Sequence, residues 1–188
     1  MFNEKGIFFK CVDEFFEGKT TFDDIEKFEQ KYNIKLENDY KKFLVKYNGF
    51  SINYCSEINN NQYFLFNIYF DCLNYMYPSI DNFETLKSVE FMFHDYLDKN
   101  SIEYKNEIIT KLEIIPIANG NSGHFDLGIG YGKDNFGKIY TWYLEGFDGV
   151  IFVCNNFKEF IEGYYIIEVD DNGEIIGSEK IFTIDAPL

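Results

Sequence analysis

Histidine is the side chain best placed for proton chemistry near neutral pH, and this chain carries two, His94 and His124. Nucleophilic catalysis needs a Ser or Cys beside such an imidazole and an acid to orient it. Neither histidine is flanked by a Gly-x-Ser-x-Gly elbow. His124 and Asp126 stand two residues apart, so on a strand they share one face. A metal site would need two or three further ligands, and only Asp134 and Asp148 are near in sequence. That pair is read as structural or solvated, and His94 as a surface or boundary histidine. The cysteines, Cys11, Cys55, Cys72 and Cys154, form no Cys-x-x-Cys step. They are read as reduced thiols of a cytoplasmic protein. Asn119-Gly120-Asn121-Ser122-Gly123 lacks both the Gly-x-x-x-x-Gly-Lys spacing of a phosphate cradle and a following helix. Carboxylates are plentiful, but abundance is no signal in so acidic a chain. No catalytic residue, cofactor or metal ligand is assigned, and an enzyme is not expected.

The charge balance points to macromolecular partners instead. Acidic residues number 32 against 17 basic ones, a formal net charge of −15, and every basic residue is Lys. Bidentate recognition of phosphate and guanine depends on the Arg fork, so nucleic acid and anionic membrane are not expected partners. A basic protein is. From Glu145 to Asp185 ten acidic residues face two lysines, Lys158 and Lys180, a net of −8. Such a segment is either a solvated face or a patch that docks on a basic protein. No apolar run approaches the ~18 residues of a membrane span.

These residues need a scaffold, and 188 residues with 46% hydrophobic and 20% aromatic side chains suit one domain with a sizeable core. Two short amphipathic helices stand out. Phe22, Ile25, Phe28 and Tyr32 line the first, with Thr21 and Asp24 at capping-box spacing. Tyr40, Phe43, Leu44 and Tyr47 line the second, capped by Asn38 and stopped by Asn48-Gly49. A further helix is expected over Met1–Gly18, and another from Ser79 to Lys99 along Phe83, Leu86, Val89, Phe93, Tyr96 and Leu97. Residues 100–111 read as a loop or short helix. Strands are expected over Tyr63–Phe70, over Leu112–Ala118 with Pro116 forcing an edge or strand end, and over Phe125–Tyr131 and Lys138–Tyr143 as a hairpin. Trp142 reads as a core anchor. A strand over Val150–Cys154 leads to a helix over Asn156–Glu162, with Asn156 and Glu159 at capping-box spacing. Asp170-Asp171-Asn172-Gly173 then turns a C-terminal hairpin.

Several of these motifs, in this order, resemble the SUKH superfamily, the Smi/Knr-type proteins. They are Ile25-Glu26; Leu36-Glu37-Asn38-Asp39-Tyr40 with Phe43-Leu44 and Asn48-Gly49; Ile115-Pro116-Ile117-Ala118; Gly137-Lys138-Ile139-Tyr140-Thr141-Trp142; and Asn156-Phe157-Lys158-Glu159-Phe160-Ile161. One departure is Glu37, where the family usually has Pro. The resemblance implies an α+β fold, a mainly antiparallel sheet packed by helices on one side. The expected organisation is a single domain over 1–188: an N-terminal helix over 1–18, a family-like core over about 20–163 and an added hairpin over 164–188. It also implies an immunity protein that binds and neutralises a cognate basic toxin domain, a nuclease or nucleic-acid deaminase, by stoichiometric inhibition. The alternative is an intracellular scaffold or regulator. Within the acidic segment, Glu145, Asp148, Asp170, Asp171 and Glu174 are the candidate toxin contacts. Monomer and homodimer both remain open, and the Asn-, Ile-, Lys- and Tyr-rich composition suggests a low-GC bacterium.

Overall fold

The computed structural model describes residues 2–4, 19–51, 62–66, 80–97, 104–120, 125–144, 149–162, 164–169, 175–180 and 182–184. In chain order the elements are β1 (Phe2–Glu4), α1 (Phe22–Tyr32), α2 (Asn38–Tyr47), β2 (Phe50–Ser51), β3 (Gln62–Phe66), β4 (Ile80–Phe83), α3 (Leu86–Leu97) and α4 (Tyr104–Lys111). There follow β5 (Ile114–Gly120), β6 (Phe125–Gly130), β7 (Ile139–Tyr143), β8 (Ile151–Cys154), α5 (Phe157–Glu162), β9 (Tyr164–Val169), β10 (Ile175–Lys180) and β11 (Phe182–Ile184). The fold is α+β. Six strands form an antiparallel sheet in the order β2-β4-β5-β6-β7-β8. A three-stranded sheet, β10-β9-β3, and a two-stranded one, β1-β11, complete the described strands. The C-terminal hairpin pairs as its Asn-Gly step implies, but β9 takes β3 as its other neighbour and does not extend the large sheet.

The main core lies where helices meet one face of that sheet. Ile25 and Phe28 of α1, Phe43 and Leu44 of α2, Val89 and Phe93 of α3, and Phe157 and Phe160 of α5 share a cluster with Ile115, Ile117, Leu127, Ile129 and Ile139. By strand alternation Trp142 points the other way from Ile139. It is fully buried in a second, smaller cluster with Ile109 and Ile114, edge-on to Tyr96. Gly128 on the neighbouring strand makes room for it: a Cβ there would stand 2.8 Å from the indole ring. Trp142 is thus the core anchor its type implies.

Several expectations need correction. Phe2–Glu4 is a strand paired with β11, so the helix expected over Met1–Gly18 does not include it; residues 5–18 lie outside the described residues. The helix expected from Ser79 begins at Leu86, and Phe83 belongs to β4, paired with Ala118. Thr85 breaks the run, its hydroxyl accepting from the Ser88 amide at 3.0 Å as an N-terminal cap. Pro116 sits inside β5, an interior strand, not at an edge. The register shift between Pro116 and Ala118 absorbs the missing donor, which is the bulge a proline requires in mid-sheet. The α2 cap is Glu37 rather than Asn38. Its carboxylate accepts from the Asp39 and Tyr40 amides at 3.0 Å each. Its φ of −67° is the angle proline would impose, so the departure from the family motif keeps the backbone. Thr21 and Asp24 form the expected capping box on α1. At α5 the box is shifted: Asn156 accepts from the Glu159 amide, but Glu159 reaches back to the Asn155 amide.

Asn48 and Gly49 both take left-handed backbone, with φ of 46° and 81°. A Cβ at Gly49 would stand 2.6 to 2.8 Å from backbone atoms of Phe83, Glu84 and Thr85. At Gly149, with φ 123°, a Cβ would have no neighbour within 4 Å. Gly49→Ala is therefore expected to lower unfolding free energy by more than about 2 kcal/mol. Gly149→Ala should cost only the backbone strain, about 1 kcal/mol. Urea denaturation of both variants checks the ordering, and equal losses would show that the close approach at Gly49 is unimportant.

Candidate interaction surface

Any chemistry in the interior would fall to its polar side chains. Glu29 of α1 is 2% exposed. Its carboxylate accepts from the Leu36 amide at 2.7 Å, Lys41 at 2.5 Å and Lys35 at 3.1 Å. Burial raises its pKa, but the bonds from Lys41, Leu36 and Lys35 outweigh that and hold the carboxyl below its ordinary value. The residue is thus a clamp between α1 and the start of α2. Nothing in residue spacing marked it: the family-like step pointed to Ile25-Glu26, and Glu26 is exposed.

A second group lies between the sheet and α3. Asp126 accepts from the Tyr96 hydroxyl at 2.8 Å, and its carbonyl accepts from Thr141 at 2.9 Å. Glu84 accepts from the Asn119 side-chain amide. Burial, with Asp126 as a nearby like charge, pushes the Glu84 carboxyl up. Burial and Asp126 likewise push the Tyr96 phenol up. Asp126 is thus tied to α3 through Tyr96, while His124, its neighbour on the expected strand face, lies outside the described residues. His94 is exposed on α3, as expected. Cys154 is a buried free thiol, its pKa pushed up to about 12 by burial and then by Glu159, so it is not a thiolate nucleophile. Among the described residues no cluster of three metal-ligating side chains occurs, and no helix is long and apolar enough to cross a membrane.

Among the described residues the surface has a groove between α1 and α3, holding about 1080 Å³. Its lining includes Thr20, Asn48 and Leu86, which one side chain ties together. The buried Asn48 amide oxygen accepts from the Thr20 hydroxyl and from the Leu86 amide at 3.2 Å. Lys19, Lys27, Lys31 and Lys87 line the groove, with Phe91 and Met92 of α3. Phe91 is 77% exposed, the highest exposure of any large apolar side chain described. The five residues expected to touch a toxin, Glu145, Asp148, Asp170, Asp171 and Glu174, lie outside the described residues. Composition could not have found this groove, because its lysines come from three separate segments and only the α1–α3 packing gathers them.

The model of the SMI1/KNR4 family (SUKH-1) matches residues 19–163. The match takes in the five described helices and the six-stranded sheet and stops before β9, so the C-terminal hairpin lies beyond it. No curated protein and no solved structure matches the chain significantly.

The Glu29 clamp gives a pH-dependent prediction. A carboxyl held below its ordinary pKa stabilises the fold above that value, and the stabilisation is lost as pH falls through the folded pKa. Below about pH 4.5, the ordinary value for Glu29, the native chain should lose stability. Glu29→Gln is expected to cost about 2 kcal/mol at neutral pH, because Lys41 loses its partner, and to flatten the acid limb. Urea midpoints from pH 3 to 7 check this (roughly the range over which such carboxyls titrate); an acid limb as steep as that of the native chain would exclude Glu29 as its source.

Proposed function

The chain belongs to the SMI1/KNR4 family (SUKH-1), and from that premise we propose that it is an immunity protein of a bacterial toxin system. It binds a cognate toxin domain in a fixed ratio and covers its active site or substrate groove, turning over nothing. The observation that carries this reading beyond the family is the charge: −15 overall, with no arginine and a net −8 between Glu145 and Asp185. Toxins that act on nucleic acid must hold a polyanion and are basic at their sites. An acidic partner meets such a site with complementary potential, and its field speeds the encounter.

The interior supports a binding rather than a catalytic role. Its buried carboxylates at Glu29 and Asp126 are engaged by structural donors. Cys154 is held as a thiol. Within the acidic segment, Glu145, Asp148, Asp170, Asp171 and Glu174 are proposed as toxin contacts, on a single-domain protein acting inside the cell.

Co-expression with the toxin domain encoded upstream tests the reading. The native chain should restore growth, and reversal of those five charges to Lys should abolish protection. Affinity for the toxin domain should fall by about tenfold or more as salt is raised well above physiological strength. Full protection by the reversed variant would remove those residues. Recovery of several unrelated partners, and no toxin, from the native cell would favour the scaffold reading.

A further inference from the structure

Charge in the α1–α3 groove has the opposite sign to the molecule. Four lysines line it against three carboxylates, Asp24, Glu84 and Glu90. All three carboxylates are already engaged. Asp24 accepts from the Thr21 amide at 3.0 Å and its hydroxyl at 2.6 Å. Glu90 takes Lys31 at 2.6 Å across the groove. Glu84 turns inward to Asn119. Of the lysines, Lys27 pairs with Asp23 on its own helix at 2.5 Å, an exposed pair of little strength. Lys19 and Lys87 are exposed and make no ion pair among the described residues. Phe91, one helical turn beyond Lys87 on α3, lines the same groove and offers a large apolar side chain to solvent, with Met92 next to it in sequence.

We propose that this groove is a docking site for a short acidic segment of a protein partner, its carboxylates on Lys19 and Lys87 and an apolar side chain on Phe91. None of the residues lining the groove belongs to the acidic segment between Glu145 and Asp185, and the proposal does not depend on that segment's role. A peptide suits the groove better than a nucleic acid does. A strand of phosphates carries a charge at every nucleotide and would have to pass Glu90 and run on over a strongly acidic protein. A peptide can place two carboxylates where the lysines are and nothing elsewhere. The overall charge does not forbid this, because at physiological salt fields are screened over about 8 Å. Within that range the charges lining the groove itself count most, and among them Lys19 and Lys87 make no ion pair among the described residues.

Fluorescence anisotropy at about 0.15 M salt with a labelled eight-residue peptide of alternating glutamate and leucine tests the site in the full chain. The peptide is expected to bind, and Lys19→Glu with Lys87→Glu should weaken it by about tenfold or more. Phe91→Ala should weaken it by about fivefold. A lysine–leucine peptide of the same length should be indifferent to all three changes. These positions are exposed, so circular dichroism of the variants should match the native chain. The proposal is overturned by any of three results: no binding up to about 1 mM, undiminished binding by the variants, or tighter binding of an octathymidylate that the same variants abolish. Because the peptide is not a toxin, failure here leaves the co-expression result untouched.

Discussion

Between the last turn of α2 and strand β2 the backbone passes through left-handed space twice in succession, at Asn48 and Gly49. Each residue is there for a different reason. Asn tolerates the left-handed region and carries a side chain that can bond locally. Here that side chain reaches past its own helix, to Thr20 before α1 and to the first amide of α3. Gly49 follows because backbone from the β4–α3 junction lies within 3 Å of where a Cβ would be. A helix end, the start of two other helices and the entry to the sheet are thereby fixed by two adjacent residues. An unsatisfied amide at Leu86 would cost about 1–3 kcal/mol, comparable with the strain of the left-handed turn, so the two features stabilise each other.

The acidic character of the chain makes its interior more selective, not less. Burying a carboxylate is costly unless it is paired and bonded. Glu29 meets that condition with two lysines and a backbone amide. Asp126 meets it with a phenol and Glu84 with an amide, neither of which supplies a positive charge. The difference shows in the direction of the shifts, down at Glu29 and up at Glu84. On acidification Glu29 therefore loses its stabilising contacts, while Glu84 is relieved of a buried charge. The two carboxyls oppose one another, and the helix pair α1–α2 is the part that weakens.

The elements most readable in the residues were those whose period is set by one partner. The apolar stripes of α1 and α2 each face a single core, and the β6–β7 hairpin has a short loop with its own hydrogen bonds, including Gly137 to Gly130 at 2.9 Å. Elements shaped by distant partners were not. Phe83 keeps helical spacing with Leu86, yet pairing with Ala118 holds it in a strand. Pro116 reads as an edge because a proline lacks a donor, and only the register of β6 reveals the bulge that accommodates it. Phe2–Glu4 is a strand because β11, about 180 residues away in sequence, supplies its partner. The Glu29 clamp was hidden for a related reason. Its lysines are ordinary surface residues by type, and only the turn between α1 and α2 brings Lys41 onto it.

A chain with so large an excess of carboxylates nonetheless gathers four lysines along the α1–α3 groove. Two of the acids that line it, Asp24 and Glu90, are bonded to Thr21 and Lys31. Local bonding fixes where those carboxylates sit and leaves Lys19 and Lys87 without an ion pair among the described residues. The overall excess acts at long range, as a field that would steer a basic protein of the kind proposed above before contact. The groove acts at short range, where geometry decides which charges meet. A molecule with a strongly acidic net charge can present a local surface of the opposite preference where its own folded contacts hold the carboxylates there first.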